Sequence, residues 1–160
     1  MFAAHTETEY TAPPPVEMSL STSLWKPLMT NPALADLYCS YIDCLNRQDW
    51  PQLGDFVDEH VVYNGQQVGW DGYRRMLEGD FQAIPDLRFN VELMVADDSH
   101  VASRLHFDCT PTGMLFDLPV NGRQVRFDEN VFYRIEDGKI CEVWSVIDKS
   151  RFVTNSRNRS

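Results

Sequence analysis

The sequence of 160 residues lacks the marks of a metalloprotein, a secreted protein or a membrane protein. Its four cysteines form no CxxC pair and show no spacing typical of zinc ligands. No apolar run approaches the length that spans a bilayer. The N-terminus carries Glu7 and Glu9 and lacks a basic segment followed by an apolar one, so we expect no secretory signal. We therefore expect an intracellular, cytoplasmic protein without a metal site or a membrane segment.

Positive charge is also scarce, because 14 Lys and Arg stand against 24 Asp and Glu and leave a net charge of −10. A nucleic-acid surface needs clustered Lys and Arg, so we expect no nucleic-acid partner. GxGxxG, P-loop, HExxH and GxSxG motifs are absent, and nothing in the sequence calls for a cofactor. What remains is the composition of an ordinary soluble domain, with 43% hydrophobic and 24% charged residues.

The order of the predicted elements indicates one α+β domain over residues 31–152. Residues 1–30 show no sustained periodicity and predict a flexible arm, and residues 153–160 predict a polar tail. Helices come first and antiparallel strands afterwards, a pattern typical of a curved sheet wrapped around helices. Helices are predicted to begin at Asn31, Asp49 and Gly69, and strands to cover residues 57–64, 87–96 and 101–110. Hairpin turns are predicted at Asn121-Gly122 and Asp137-Gly138, since these dipeptides accept positive φ.

The strand before Asp137-Gly138 places one carboxylate among apolar side chains. Alternation puts Val125, Phe127, Glu129, Val131, Tyr133 and Ile135 on one face. A carboxylate there loses hydration, so it must find a partner or keep its proton. Two interpretations stay open for Glu129. It is either a general acid or base, or a structural carboxylate paired with an Arg across the sheet such as Arg104.

The predicted strand over residues 101–110 alternates polar Arg104, His106 and Asp108 with apolar side chains. By pattern alone the polar row is a solvated face. Strong bending of the strand would instead turn Arg104 and His106 inward, where His106 would be a natural proton shuttle near neutral pH.

Three further polar residues are candidates with simpler alternatives. His60 and Asn64 share a face with Val62 that we expect to look inward, although a core histidine and a turn-capping asparagine are the commoner outcomes. Asp148, at the end of the last strand, could equally be a plain cap.

Six short motifs in their order resemble the SnoaL-like polyketide cyclases, over about residues 31–150. The motifs are residues 58–65 (DEHVVYNG), 72–77 (GYRRML), 84–89 (IPDLRF), 129–134 (ENVFYR), 137–140 (DGKI) and 144–149 (WSVIDK). The resemblance implies the nuclear transport factor 2-like fold, a cone of helices and curved sheet around one deep pocket. It also implies cofactor-free acid–base chemistry on aromatic polyketides, and enzymes that isomerise dearomatised tetrahydroxanthone precursors look like the nearest match. Homodimerisation through the outer sheet face is expected from the fold class.

The chain departs from this family at two positions. Ring-closing members place an Asp where this chain has Ser145, and often His or Asp at the position of Val131, so the family's catalytic Asp cannot be carried over. We therefore expect a relocated acid–base set in a cofactor-independent isomerase or cyclase acting on a phenolic polycyclic polyketide. We expect Glu129 and His106 to form the acid–base pair, with Asp148 orienting them or sharing the proton load. His60, Asn64 and Arg104 are expected to hold substrate oxygens. Tyr133 and Ser145 are expected to contact the substrate. The missing Asp and His leave a second hypothesis open, in which the same cone is a non-catalytic binding or protein-association module.

Overall fold

The computed structural model describes Phe2 and residues 31–152. The predicted arm, apart from Phe2, and the predicted tail over residues 153–160 lie outside the described residues. The elements in chain order are α1 (Pro32–Arg47), α2 (Trp50–Leu53), β1 (Val57–Tyr63), β2 (Gln66–Gln67), α3 (Gly69–Ala83), β3 (Asn90–Ala96), β4 (His100–Cys109), β5 (Met114–Leu115), β6 (Leu118–Pro119), β7 (Val125–Glu136) and β8 (Lys139–Asp148).

The helices begin where the sequence predicts them. Asn31 caps α1, since its side-chain oxygen accepts the N–H of Ala33 at 3.0 Å. The helix ends at Arg47 and is capped by Gln48, which has a φ of +54°. The buried stripe of α1 consists of Tyr38, Tyr41, Ile42, Cys44 and Leu45, and that of α3 of Tyr73, Leu77, Asp80 and Phe81.

Six strands form the main sheet in the order β2-β1-β8-β7-β4-β3. All neighbouring strands are antiparallel except β1 and β8, which are parallel. The helices pack on one face of this sheet, which we call the inner face; Tyr38 of α1, for example, lies with its ring 5.1 Å from that of Tyr133 in β7. The predicted α+β class is confirmed, with helices on a mainly antiparallel sheet.

One of the two predicted hairpins forms as expected. Asp137 and Gly138 have φ values of +50° and +73° and join β7 to β8. Asn121 and Gly122 also have positive φ, but the strands of the small hairpin, β5 and β6, are joined before them through Phe116 and Asp117. The prediction of a hairpin turn at Asn121-Gly122 is therefore wrong, because these residues form a turn outside the paired strands.

The inner face is closed near one end by phenylalanines. Phe127 and Phe107 lie opposite each other in β7 and β4, with their rings stacked 4.9 Å apart. Phe2 is 2% exposed and meets both rings edge-on, at 5.3 Å from Phe107 and 5.2 Å from Phe127. Its backbone N–H donates to the carboxylate of Asp80 in α3 at 3.2 Å. Phe2, which is far from the domain in sequence, thus packs on the inner face against Phe127, the inward-facing residue of β7 that comes two positions before Glu129.

Candidate active site

Glu129 lies on the inner face of β7 and is 1% exposed. Its Oε1 accepts a short hydrogen bond from the Ser145 hydroxyl, and its Oε2 has no hydrogen-bond partner among the described residues. Burial raises its pKa from 4.5 to about 7, although the Ser145 hydroxyl lowers it in part. A carboxyl group with this pKa exchanges its proton near neutral pH, as a general acid or base must.

The strand register explains why Glu129 has so few polar neighbours. Leu105 of β4 and Ile147 of β8 lie directly opposite it. On these two neighbouring strands, the next inward-facing position carries polar groups, where Ser103 and Ser145 flank Val131. Diagonal neighbours in a sheet are within reach of a long side chain, so Glu129 can contact Ser145.

Five buried tyrosines surround this carboxylate: Tyr38, Tyr41, Tyr63, Tyr73 and Tyr133. Burial raises the pKa of each hydroxyl, and the nearby Glu129 charge raises it further. All five therefore stay protonated at neutral pH and can donate hydrogen bonds. The hydroxyls of Tyr41 and Tyr73 bond each other at 2.7 Å. Apart from Tyr133, sequence reasoning did not place these residues in the site. The available signal was the choice of tyrosine over phenylalanine, because a buried tyrosine hydroxyl needs a partner.

Several buried polar atoms remain without a partner among the described residues. Those near Glu129 include its own Oε2 and the hydroxyls of Tyr38, Tyr63 and Ser103. The Tyr63 hydroxyl lies close enough to Ser145 for that residue to lower its pKa, yet completes no hydrogen bond. Orphaned polar groups are rare inside proteins because each one costs free energy. Their concentration around one carboxylate is the arrangement expected of a site that binds a polar ligand.

Asp80 of α3 is a further buried carboxylate, 5% exposed, that sequence reasoning missed. Burial raises its pKa, and its charge in turn raises the pKa of Glu129. A signal was present, since Asp80 follows Leu77 by three positions and Tyr73 by seven and so shares their helix face.

Arg104, His106 and Asp148 lie on the other face of the sheet, which we call the outer face. Arg104 donates to Asp128 at 2.7 Å, to Asp148 at 3.1 Å and to Asn130 at 2.9 Å. Nδ1 of His106 lies 2.7 Å from the other oxygen of Asp128.

The expectation that bending turns Arg104 and His106 inward is therefore wrong, because β4 keeps its alternation and Leu105 is the residue beside Glu129. The pairing of His106 and Asp148 with Glu129 fails with it, and so does the alternative of a Glu129–Arg104 pair. Asp148 is an ion-pair and turn residue, whose pKa is lowered to about 2 by hydrogen bonds from Ser150 and Arg104.

The expected inward face of β1 is also wrong. Val61 and Tyr63 are buried, whereas His60 is exposed and lies 3.3 Å from the carboxylate of Glu59. Val61 and Tyr63 bury more apolar surface than His60 and Val62, and the more apolar set decides which face turns to the core. Asn64 is exposed and bonds the backbone of β8. Of the predicted site residues, the structure brings together Glu129, Ser145 and Tyr133.

The described residues show neither a metal centre nor a membrane span. Among them, no group of three or more His, Cys, Asp or Glu side chains is placed to hold a metal ion. In the same part of the chain, no helix has the length and apolar character that crossing a membrane requires. The intracellular location stays a prediction.

Comparison with known proteins identifies relatives. Residues 35–155 match the family model of the SnoaL-like polyketide cyclases. A SnoaL-like polyketide cyclase from Agrobacterium tumefaciens is 53% identical, with a TM-score of 0.72, over 74% of this chain and 93% of that one. TsrD from Streptomyces laurentii (18% identity, TM-score 0.67, 77% and 93% of the two chains) and IdmH from Streptomyces antibioticus (19%, 0.64, 73% and 93%) share the fold. No curated protein matches.

Proposed function

The chain belongs to the SnoaL-like polyketide cyclase family, and we propose that it is a cyclase or isomerase that transfers protons without a cofactor. Family membership supports a cyclase or isomerase role. The observation that carries the mechanistic proposal is Glu129, a buried carboxylate with a pKa raised to about 7 and one oxygen without a partner. Such a group combines a useful pKa with a free lone pair in a dry environment.

Glu129 acts in this proposal as the general base. Its free Oε2 removes an acidic C–H proton next to a substrate carbonyl, and the electron pair of the broken bond becomes an enolate. The protonated Glu129 then returns the proton at another carbon or at oxygen, which gives an isomer. A ring closes instead if the enolate carbon first adds to a second carbonyl carbon of the same substrate, whose π electrons move to its oxygen, and Glu129 then protonates that oxygen. Atoms and electrons balance without an added reagent.

The hydroxyls of Ser145 and Tyr63 supply the hydrogen bonds that this chemistry needs. Ser145 already donates to Oε1 and keeps the carboxylate oriented. Tyr63 has an unused hydroxyl near Ser145, and we assign to it the role of donor to the enolate oxygen. A donor in a desolvated site stabilises developing charge more strongly than it would in water.

The composition of the inner face supports an uncharged aromatic substrate. The buried charged and polar side chains include no Lys, Arg or His in the described part of the chain, so these side chains offer no cation to a carboxylate substrate. Tyrosine and phenylalanine rings offer edges and faces for a flat, conjugated ligand. These features favour a phenolic polycyclic polyketide intermediate, with tetrahydroxanthone precursors as the first candidates to test.

The test is incubation of the wild-type protein and Glu129→Gln with phenolic ketones, followed by chromatography. We expect the wild type to give an isomer or cyclised product. In Glu129→Gln we expect a rate lower by about 10²–10⁴-fold, the usual contribution of a general base, with an unchanged circular dichroism spectrum. Full activity of Glu129→Gln on a turned-over substrate would refute the assignment.

A second candidate function is a non-catalytic binding module with the same fold. The observation that favours it is that this chain has Ser145 and Val131 where the family resemblance implies an Asp and a His or Asp, respectively. A binder would retain the phenolic ketones unchanged, and Glu129→Gln would alter affinity without any product appearing for either variant.

We further propose that the chain forms a homodimer through the outer face. An apolar band crosses four strands there, and its exposed members are Leu93, Val95, Phe132, Trp144 and Val146. Phe132 and Trp144 lie directly opposite each other, and Leu93 and Val146 are more than half exposed. A contiguous apolar patch of this kind is uncommon on a monomer. A second copy fits it because a two-fold interface joins the same patch on both subunits.

Size-exclusion chromatography with light scattering measures the mass of the protein in solution and so tests the homodimer directly. We expect twice the chain mass of 18.5 kDa for the wild type and the monomer mass for Phe132→Glu. Leu118→Glu, which changes an exposed apolar residue outside the band, serves as the control and should stay dimeric. A monomeric wild type at high concentration would contradict the proposal.

A further inference from the structure

Asn64 connects a turn at the edge of the site to Ser145. It directly follows β1, and with its φ of +46° and the +79° of Gly65 it forms the tight turn into β2. Asparagine is a common choice for such a turn. The turn alone, however, does not explain what the side chain does.

The Asn64 side chain bonds both backbone groups of Ser145. Its Oδ1 accepts the Ser145 N–H at 2.8 Å, and its Nδ2 donates to the Ser145 carbonyl at 3.3 Å. The Asn64 backbone N–H also donates to the carbonyl of Val143 at 2.9 Å. The side-chain amide therefore takes the place of a further peptide group of β1 and continues the β1–β8 pairing after the chain has turned away.

Ser145 is in turn the only described hydrogen-bond donor to Glu129. A continuous path thus runs from the Asn64 amide, through the backbone of Ser145, to the hydroxyl that holds the carboxylate. We propose that Asn64 is a positioning residue of the reaction, which fixes the Ser145 backbone and so aims its hydroxyl at Glu129. It touches no reacting atom, in contrast to the substrate-holding role that the sequence predicts for it. This inference rests on the proposed function of Glu129.

The chain offers a matched control in its other Asn-Gly turn. Asn121 and Gly122 have φ values of +47° and +79°, nearly those of Asn64 and Gly65. Replacing either Asn by Gly keeps the positive φ accessible. Only Asn64→Gly removes the two bonds to Ser145, so a comparison with Asn121→Gly separates the turn from the positioning role.

The first readout is the titration of the Glu129 carboxyl, followed by NMR with ¹³C-labelled glutamate and assigned by its loss in Glu129→Gln. A misplaced Ser145 hydroxyl stabilises the carboxylate less, so Asn64→Gly should raise the pKa of Glu129 by roughly 1 unit, as expected for one weakened charge-assisted hydrogen bond. Asn121→Gly should leave it unchanged. In a Ser145→Ala background, Asn64→Gly should produce no further shift.

The second readout is kinetic, and we expect Asn64→Gly to lower kcat about tenfold with little change in KM, because it affects the base and not substrate contacts. An unmoved Glu129 titration in Asn64→Gly, or an equal shift in the Ser145→Ala background, would overturn the inference while leaving Glu129 as the base. Full turnover by Glu129→Gln would instead refute the proposed function. Asn64→Ala and Asn121→Ala provide a second matched pair: both add the strain of Ala at a positive φ, and only Asn64→Ala removes the two bonds to Ser145.

Discussion

Asp128 and Glu129 are adjacent carboxylates in β7, and both are buried, but they lie in opposite environments. Asp128 points to the outer face, where Arg104 and His106 each approach one of its oxygens to 2.7 Å. Glu129 points to the inner face and receives one hydroxyl group. A buried charge paired with a cation such as Arg104 stabilises only while that partner remains, whereas a buried carboxyl without one holds its proton to higher pH. One step along a strand thus separates a structural ion-pair cluster from a candidate catalytic base.

The largest effect on stability should come from removing the partner of Asp128. Arg104→Met leaves a fully buried carboxylate without its strongest ion pair, and breaking such a pair costs about 3 kcal/mol or more. Urea denaturation checks the free energy of unfolding. Arg134→Met is the matched control, because Arg134 pairs with the more exposed Glu136 and Glu142 and should cost within about 1 kcal/mol. Equal losses in the free energy of unfolding for Arg104→Met and Arg134→Met would show that the buried ion pairs of Asp128 stabilise no more than the exposed ion pairs of Arg134.

The pH dependence of stability should reveal the inner carboxylate. The folded-state pKa of Glu129 lies above its ordinary value, so its favourable contribution is complete below pH 4.5 and is lost as the pH rises through about 7. Relative to Glu129→Gln, the wild type should lose about 3 kcal/mol over this range, since each unit of pKa difference corresponds to about 1.4 kcal/mol. Urea denaturation of both variants between pH 4.5 and 8 measures it. If the free energies of unfolding of the wild type and Glu129→Gln changed in parallel with pH, Glu129 would not have the raised pKa of a buried carboxyl without an ion-pair partner.

A smaller effect is expected at Tyr63. Tyr63→Phe removes the hydroxyl assigned to the enolate oxygen and should lower kcat by about tenfold, because one hydrogen bond in the transition state is lost. The free energy of unfolding should change by less than about 1 kcal/mol, since the hydroxyl has no partner among the described residues. Tyr38→Phe is the control, because the Tyr38 hydroxyl also has no partner among the described residues but is not adjacent to Ser145. This variant should lower kcat less than Tyr63→Phe does. A normal kcat in Tyr63→Phe would exclude Tyr63 as the donor.

The sequence predicts part of this picture and not the rest. Alternation along β7 places Glu129 on the apolar face, and the structure confirms that position because β7 pairs with β4 in unbroken register from Val125 to Arg134. The turn at Asp137-Gly138 is predicted for a local reason, its positive φ. In β1 the prediction of the buried face is wrong. It followed the functional side chains of His60 and Asn64, whereas the larger apolar area of Val61 and Tyr63 decides which face is buried.

Contacts between distant elements were beyond sequence reasoning. The inward turn of His106 required a bend that β4 does not make. The bond from Asn64 to Ser145 joins residues 81 positions apart, and that from Phe2 to Asp80 spans 78. Tyrosines from α1, α3, β1 and β7 meet around Glu129 only because the fold brings those elements together. Periodicity predicts which residues are buried, but not which hydroxyl faces which carboxylate.

The most direct test of the account is the titration of the Glu129 carboxyl in the wild-type protein, followed by ¹³C NMR and assigned with Glu129→Gln. The account predicts a midpoint near pH 7, as expected of a desolvated carboxyl with one hydroxyl partner. A midpoint at 4.5 or below would show a solvated or charge-paired carboxylate and would contradict its role as the base.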